Sequence, residues 1–185
     1  MKKTLQLFVM AVLMLGAASC DLVEDLVVVD KAGDTKFTFD VNEAAGTQAF
    51  SRIKKVDMSV PADQKSLIKE AKINSITVRV PSFTGTESQI LSDLELFYVA
   101  TGATDTLRVG TIADIDLYLL NKEERIAFVA FDDKARDDMK LKEILAADGS
   151  VTFKLVGKNN SKKAIKTRLE FTVNATVTAQ PLAKN

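Results

Sequence analysis

AIKTRLEFTVNATVTA, residues 164–179, carries the clearest structural signal in the chain. Ile165, Thr167, Leu169, Phe171, Val173, Ala175 and Val177 fall on one side of an extended chain. Lys166, Arg168, Glu170, Thr172, Asn174 and Thr176 fall on the other. Successive side chains of a strand point to opposite faces, so this alternation predicts a long strand with one buried and one wet face. Such a strand belongs in an antiparallel sheet. Parallel sheets need long crossover helices, and the sequence contains no run that would supply them.

The same period recurs upstream. KFTFDV (36–41) presents Phe37, Phe39 and Val41, and KVDMSV (55–60) presents Val56, Met58 and Val60 before Pro61. NSITVRVP (74–81) presents Ile76, Val78 and Val80, again ending at a proline. DLELFYVA (93–100) is apolar enough to be buried on both faces, and DTLRVGTI (105–112) and RIAFVAF (125–131) complete the series. Many short strands separated by turn signals imply a mainly β fold, an antiparallel β-sandwich that is Ig-like or Greek-key in a loose sense. The Cys…Trp…Cys core of true immunoglobulin domains is absent.

Two short helices are expected to interrupt the strands. DQKSLIKEAK (63–72) starts at Asp63, a suitable N-cap, and would bury Leu67, Ile68 and Ala71. DMKLKEILAADG (138–149) starts near Asp138, would bury Leu141, Ile144 and Leu145, and ends at Gly149, a suitable C′ residue. Each leads into a strand of similar pattern, SITVRV (75–80) and SVTFKL (150–155), preceded by Asn74 and Gly149. Both of these residue types tolerate a left-handed turn. The spacing hints at two equivalent units in two packed sheets.

Composition narrows the function. The 185 residues are enough for one domain with a real core, 46% apolar and 27% charged, at zero formal net charge. With no basic excess, no nucleic-acid partner is expected. There is no His, which removes Ser-His-Asp and Cys-His catalysis and His-liganded zinc. A single Cys excludes an intrachain disulfide. No Trp and two Tyr leave little for stacking on sugars or bases, so Tyr98 and Tyr118 are the only tyrosine candidates for a ligand contact.

The N-terminus carries a distinct signal. MKK is a cationic n-region, LQLFVMAVLML (5–15) an apolar run too short to span a bilayer comfortably, and GAAS (16–19) a set of small residues before Cys20. Ala17-Ala18-Ser19-Cys20 resembles the lipobox of bacterial lipoproteins, with Ala where Leu is more usual. The SCD ending is similar to that of lipoproteins from Bacteroides and Flavobacterium relatives. The resemblance implies a signal peptide over residues 1–19, diacylation of Cys20 and an outer-membrane lipoprotein whose partner is the lipid bilayer. Two or three acyl chains at roughly 0.8 kcal/mol per buried CH₂ anchor stably.

DLVEDLVVVDKAGD (21–34) then reads in two ways. One is an acidic tether of the kind that can direct such lipoproteins to the cell surface. The other is a short helix with capping-box-like Asp21 and Glu24 and an apolar face of Leu22, Val23, Leu26 and Val27. The domain is placed at residues 35–180, with a C-terminal tail at 181–185. Over about residues 36–178, the order of SITVRV, ILSDLELFYVA, MKLKEIL and the long final strand resembles small β-sandwich lipoproteins of the same bacteria. That family has no assigned activity.

Motifs for chemistry are sparse. Two S-x-x-K matches, Ser51–Lys54 and Ser66–Lys69, lack the S-D-N and K-T-G elements that accompany a Ser-Lys acylation centre. Asp132, Asp133, Asp137 and Asp138 surround Lys134 and Arg136, and Asp114 and Asp116 bracket Ile115. Paired carboxylates suit glycoside hydrolysis or calcium, but no EF-hand pattern is present and interleaved cations favour a neutralised loop. Asp105-Thr106-Leu107 matches the short D-[ST]-apolar O-glycosylation pattern of Bacteroides-type secreted proteins, with Thr106 as acceptor. The sequons at Asn159 and Asn174 carry little meaning in a bacterial lipoprotein.

No glycine-rich phosphate loop, metal site, catalytic residue or cofactor is assigned. The expectation is therefore a non-enzymatic binding or structural-interaction module of the envelope, meeting an unknown envelope protein or glycan. Glycan binding is the first alternative and a small carboxylate-dependent hydrolase the second.

Overall fold

A computed structural model describes residues 29–179, apart from 47, 59, 61, 100–105, 133–140 and 147–148. Cys20, the stretch read as a signal peptide and the expected tail at 181–185 lie outside the described residues. The elements in chain order are β1 (Val29–Glu43), β2 (Gln48–Asp57), α1 (Ala62–Lys65), β3 (Ile68–Phe83), β4 (Ile90–Val99), β5 (Thr106–Ile112) and β6 (Ile115–Asp116). They continue with α2 (Leu117–Lys122), β7 (Ile126–Phe131), α3 (Leu141–Ala146), β8 (Ser150–Asn159) and β9 (Ile165–Ala179). The fold is mainly β and antiparallel throughout, as the alternation requires.

The strands run in the order β1-β9-β3-β7-β5-β4-β8-β2, with β6 beside β4. The path folds over at β7. Its first half pairs with β3 (Thr77↔Phe128, Arg79↔Ile126) and its second half with β5 (Gly110↔Phe131, Ile112↔Val129). Thus β1-β9-β3 make one sheet, β5-β4-β8-β2 the other, and β7 is the corner. The result is a sandwich that is nearly closed into a barrel.

The core lies between the two sheets. Phe37 of β1 stacks on Phe153 of β8 with centroids 4.7 Å apart, and on Phe171 of β9 at 5.4 Å. Phe39 meets Phe171 edge to face. Around them Ile76, Leu96, Leu155 and Leu169 are fully buried. The inward set of β9 runs Ile165, Thr167, Leu169, Phe171, Val173, as the alternation in that stretch predicts.

Local readings are corrected in four places. The helix expected over 63–72 is only the four residues of α1, and the chain is already in β3 at Ile68. Two bulges explain why. Register slips between Ile68 and Glu70 and between Ile73 and Ser75 each insert an extra residue. The buried positions Ile68, Ile73 and Ile76 and half-buried Ala71 are therefore spaced partly by threes, which mimics a helix. β3 also runs past Pro81, which sits at a third slip between Arg79 and Ser82.

Second, β1 begins at Val29, inside the stretch read as tether, because β9 extends to Ala179 and offers it a partner. Third, α2 is an additional helix beyond the two expected; its signal is Asp116, whose carboxylate caps the amides of Tyr118 and Leu119. Fourth, the two units of the suggested repeat occupy different slots. β3 lies next to the corner strand, and β8 lies next to the edge strand β2. Gly149 does take a positive φ of 71°, and its amide closes α3 on Ile144 O at 2.9 Å.

The helices fill what β7 leaves open. β7 ladders with only Thr77–Arg79 of the long β3. α2 and α3 both pack on β3, burying Leu117, Leu141 and Leu145. Asn121 Nδ2 of α2 donates to the Val80 carbonyl at 2.9 Å, satisfying an acceptor just beyond the last β7 rung.

Candidate functional site

Among the described residues, a concavity opens on the outer face of the second sheet. It is an open depression of about 580 Å³, lined by Asp93, Glu95, Thr111, Asp114, Val156 and Lys158, among others. It exists because β4 is bulged. The pairing of β4 with β8 slips between Ser92 and Glu95, and Asp93 takes a left-handed φ of 50°. On the inner face Leu94 is 1% exposed. It lies so close to Gly157 that a Cβ there would stand 2.5 Å from Leu94 Cδ2.

The charges of the concavity are mostly paired. Lys158 Nζ meets Asp93 at 2.8 Å, and its ammonium is held above the ordinary lysine value, first by the hydrogen bond to Asp93 and then by that charge. Arg108 donates to Glu95 at 3.2 Å and to Asp132 at 3.3 Å, and both bonds raise its already high value. Asp114 is exposed on the rim.

Beside the concavity three loops are tied together by buried polar groups. Asn159 is fully buried and donates from Nδ2 to Ala44 O at 2.6 Å and Lys163 O at 3.3 Å, while Oδ1 accepts from Ser161 N at 2.8 Å. Ser161 Oγ accepts from Ile90 N, and Ser161 O accepts from Gly46 N, both at 2.9 Å. Asn160 donates to Ser92 Oγ. Ser88 donates to Asp116 at 2.6 Å. This network joins the turns after β1, before β4 and after β8 into one rigid end of the sandwich. Gln89, at the same end, is 6% exposed, and its Oε1 has no partner among the described residues.

The residues singled out from sequence scatter. Thr106 is exposed at the start of β5, at the end away from that network. Tyr98 is 3% exposed and belongs to the core, so it offers no surface to a ligand. Tyr118 is half-buried on α2, with Lys122 Nζ 5.3 Å above its ring and 3.3 Å from its hydroxyl. Ser51 and Lys54 point to opposite faces of β2, and Ser66 is in a turn while Lys69 is already on β3, so neither pair has the helical geometry a Ser-Lys centre needs. Asp116 is occupied as a helix cap, Asp132 pairs with Arg108, and Asp133, Asp137 and Asp138 lie outside the described residues.

The concavity itself is not legible in sequence. Its one local trace is Ser92-Asp93, a polar pair interrupting an apolar strand. Among the described residues no cluster of three or more acids, His or Cys is arranged to hold a metal ion.

No family model and no curated protein matches the chain. Among solved structures, it aligns with one of Desmodium yellow mottle tymovirus at 13% identity and a TM-score of 0.34, covering 91% of this chain and 96% of that one. It also aligns with one of Maize chlorotic mottle virus at 8% identity and a TM-score of 0.28, covering 80% and 97%. A structure of Turnip yellow mosaic virus at 100 K gives 10% identity and a TM-score of 0.25, covering 85% and 98%. Scores this low assign neither ancestry nor activity.

Proposed function

We propose that the protein is a lipid-anchored domain of the cell envelope, held at the outer membrane through Cys20, that works by binding a partner rather than by turning over a substrate. The lipobox-like AASC and the n- and h-regions before it support the anchor. The observation that carries the binding reading is the concavity beside a rigid, polar loop end. Binding loops held on a stiff scaffold lose little entropy on engagement.

The charge pairing weighs against a hydrolase. Asp93 and Glu95 are engaged by Lys158 and Arg108, whereas general acid–base catalysis needs a carboxyl group within reach of the substrate and ready to exchange its proton. Sugar recognition on a tyrosine platform is not favoured either, because Tyr98 is inside the core.

Two measurements test the reading. Metabolic labelling with palmitate is expected to mark the wild type and not Cys20→Ala; label that survives the substitution overturns the anchor. The purified mature domain is expected to show no turnover on glycan and ester panels. Turnover abolished by Asp114→Asn would replace the binding module with an enzyme.

A further inference from the structure

The ladders distinguish the two ends of the sandwich. β1 enters at Val29 opposite Ala179, and Ala179 also pairs with Ile68. The chain therefore enters and leaves the described fold at one end. Thr106 belongs to this end, where it pairs with Val99, itself paired with Thr152 near the start of β8. The opposite end holds the β1–β2 turn at Gly46, the loop before β4 and the β8–β9 turn, all joined by Asn159 and Ser161. The concavity lies towards that opposite end, since its floor pairs Glu95 with Val156 and its rim includes Asp93 and Lys158.

We infer that the end bearing Val29 and Ala179 faces the lipid bilayer and that the concavity and the Asn159 loops face away from it. The inference rests on the lipid-anchor reading. From Cys20 to Val29 the chain spans at most about 30 Å when fully extended. β1, with its 15 residues, is about 50 Å long. The anchor thus holds one end of the fold within a distance shorter than the fold's own long strand, and the other end projects towards a partner in the aqueous space.

The test uses the absence of tryptophan from the chain. Single reporters Thr106→Trp and Thr86→Trp occupy exposed positions at the two ends. Lys55→Trp and Lys162→Trp, also exposed, form a second pair in case one of the first disturbs folding. Each mature lipoprotein is reconstituted into phosphatidylcholine vesicles carrying a dansyl-headgroup lipid. Energy transfer to dansyl is expected to deplete the indole emission of Thr106→Trp and Lys55→Trp more than that of Thr86→Trp and Lys162→Trp. Equal depletion, or the reverse order, overturns the orientation. The Cys20→Ala background separates the two ideas: vesicle association that persists without the acylated cysteine refutes the anchor, whereas anchor-dependent association without a difference between ends refutes the orientation alone.

Discussion

Arg52 Nε, on β2, donates to the backbone carbonyl of Asp40, on β1, at 3.2 Å. The same guanidinium pairs with Glu43. β1 and β2 are the two terminal strands of the eight-strand path, and no ladder joins them among the described residues. Arg52 therefore bridges the seam that keeps the sandwich from closing. It sits on the inward face of β2, in phase with Phe50 and Val56, where an edge strand with a charge pointing inward resists pairing with another chain.

Replacing Arg52 with Ala is expected to cost about 1–2 kcal/mol. The denaturant midpoint should fall, and amide exchange should quicken in β1 around Asp40. Arg52→Met, which keeps the aliphatic stem, isolates the polar share. Unchanged exchange in Arg52→Ala would show that the bridge is idle.

The corner strand makes a second demand. A Cβ at Gly110 would lie 2.1 Å from Ala130 O, a backbone atom in the β5–β7 ladder, so the strands would have to part. At Gly157 the obstacles are the ends of side chains, Leu94 Cδ2 at 2.5 Å and Phe50 Cζ at 2.8 Å, which can move. Gly110→Ala should cost about 3 kcal/mol and Gly157→Ala about 1 kcal/mol. Thermal unfolding of the two variants checks the order, and a milder effect at Gly110 would contradict the corner geometry.

Asn159 satisfies two carbonyls and one amide at the rigid loop end. Asn159→Leu strands all three groups, at an expected cost of about 2–4 kcal/mol. Asn159→Asp should fail in a similar way, because a carboxylate cannot donate to Ala44 O and Lys163 O. Limited proteolysis is expected to cut residues 160–164 faster in both variants.

The Asp93–Lys158 pair predicts an alkaline effect. The folded lysine sits above its ordinary value of 10.5, so its contribution is complete below that value and fades as the pH rises through the folded one. Stability should decline on the alkaline side, and Lys158→Met should remove this part of the decline. Because both groups are exposed, added salt should shrink the difference.

Local pattern alone places the strands and their faces wherever the period of two is unbroken. Phe37, Phe39 and Val41 of β1 and the final strand from Ile165 stand where that pattern puts them, and Gly149 closes α3 as its freedom to take a positive φ predicts. These are properties of neighbouring residues, set by pleat geometry and by which side chains avoid water. Whatever depends on distant partners needs the assembled fold. Ile68 to Ile76 form a bulged strand rather than a helix because β9 is there to pair with them. Val29 to Asp34 join the sheet for the same reason. The half-and-half pairing of β7, the concavity behind Asp93, and Arg52 across the seam each arise from contacts between segments far apart in the chain, which no local period encodes.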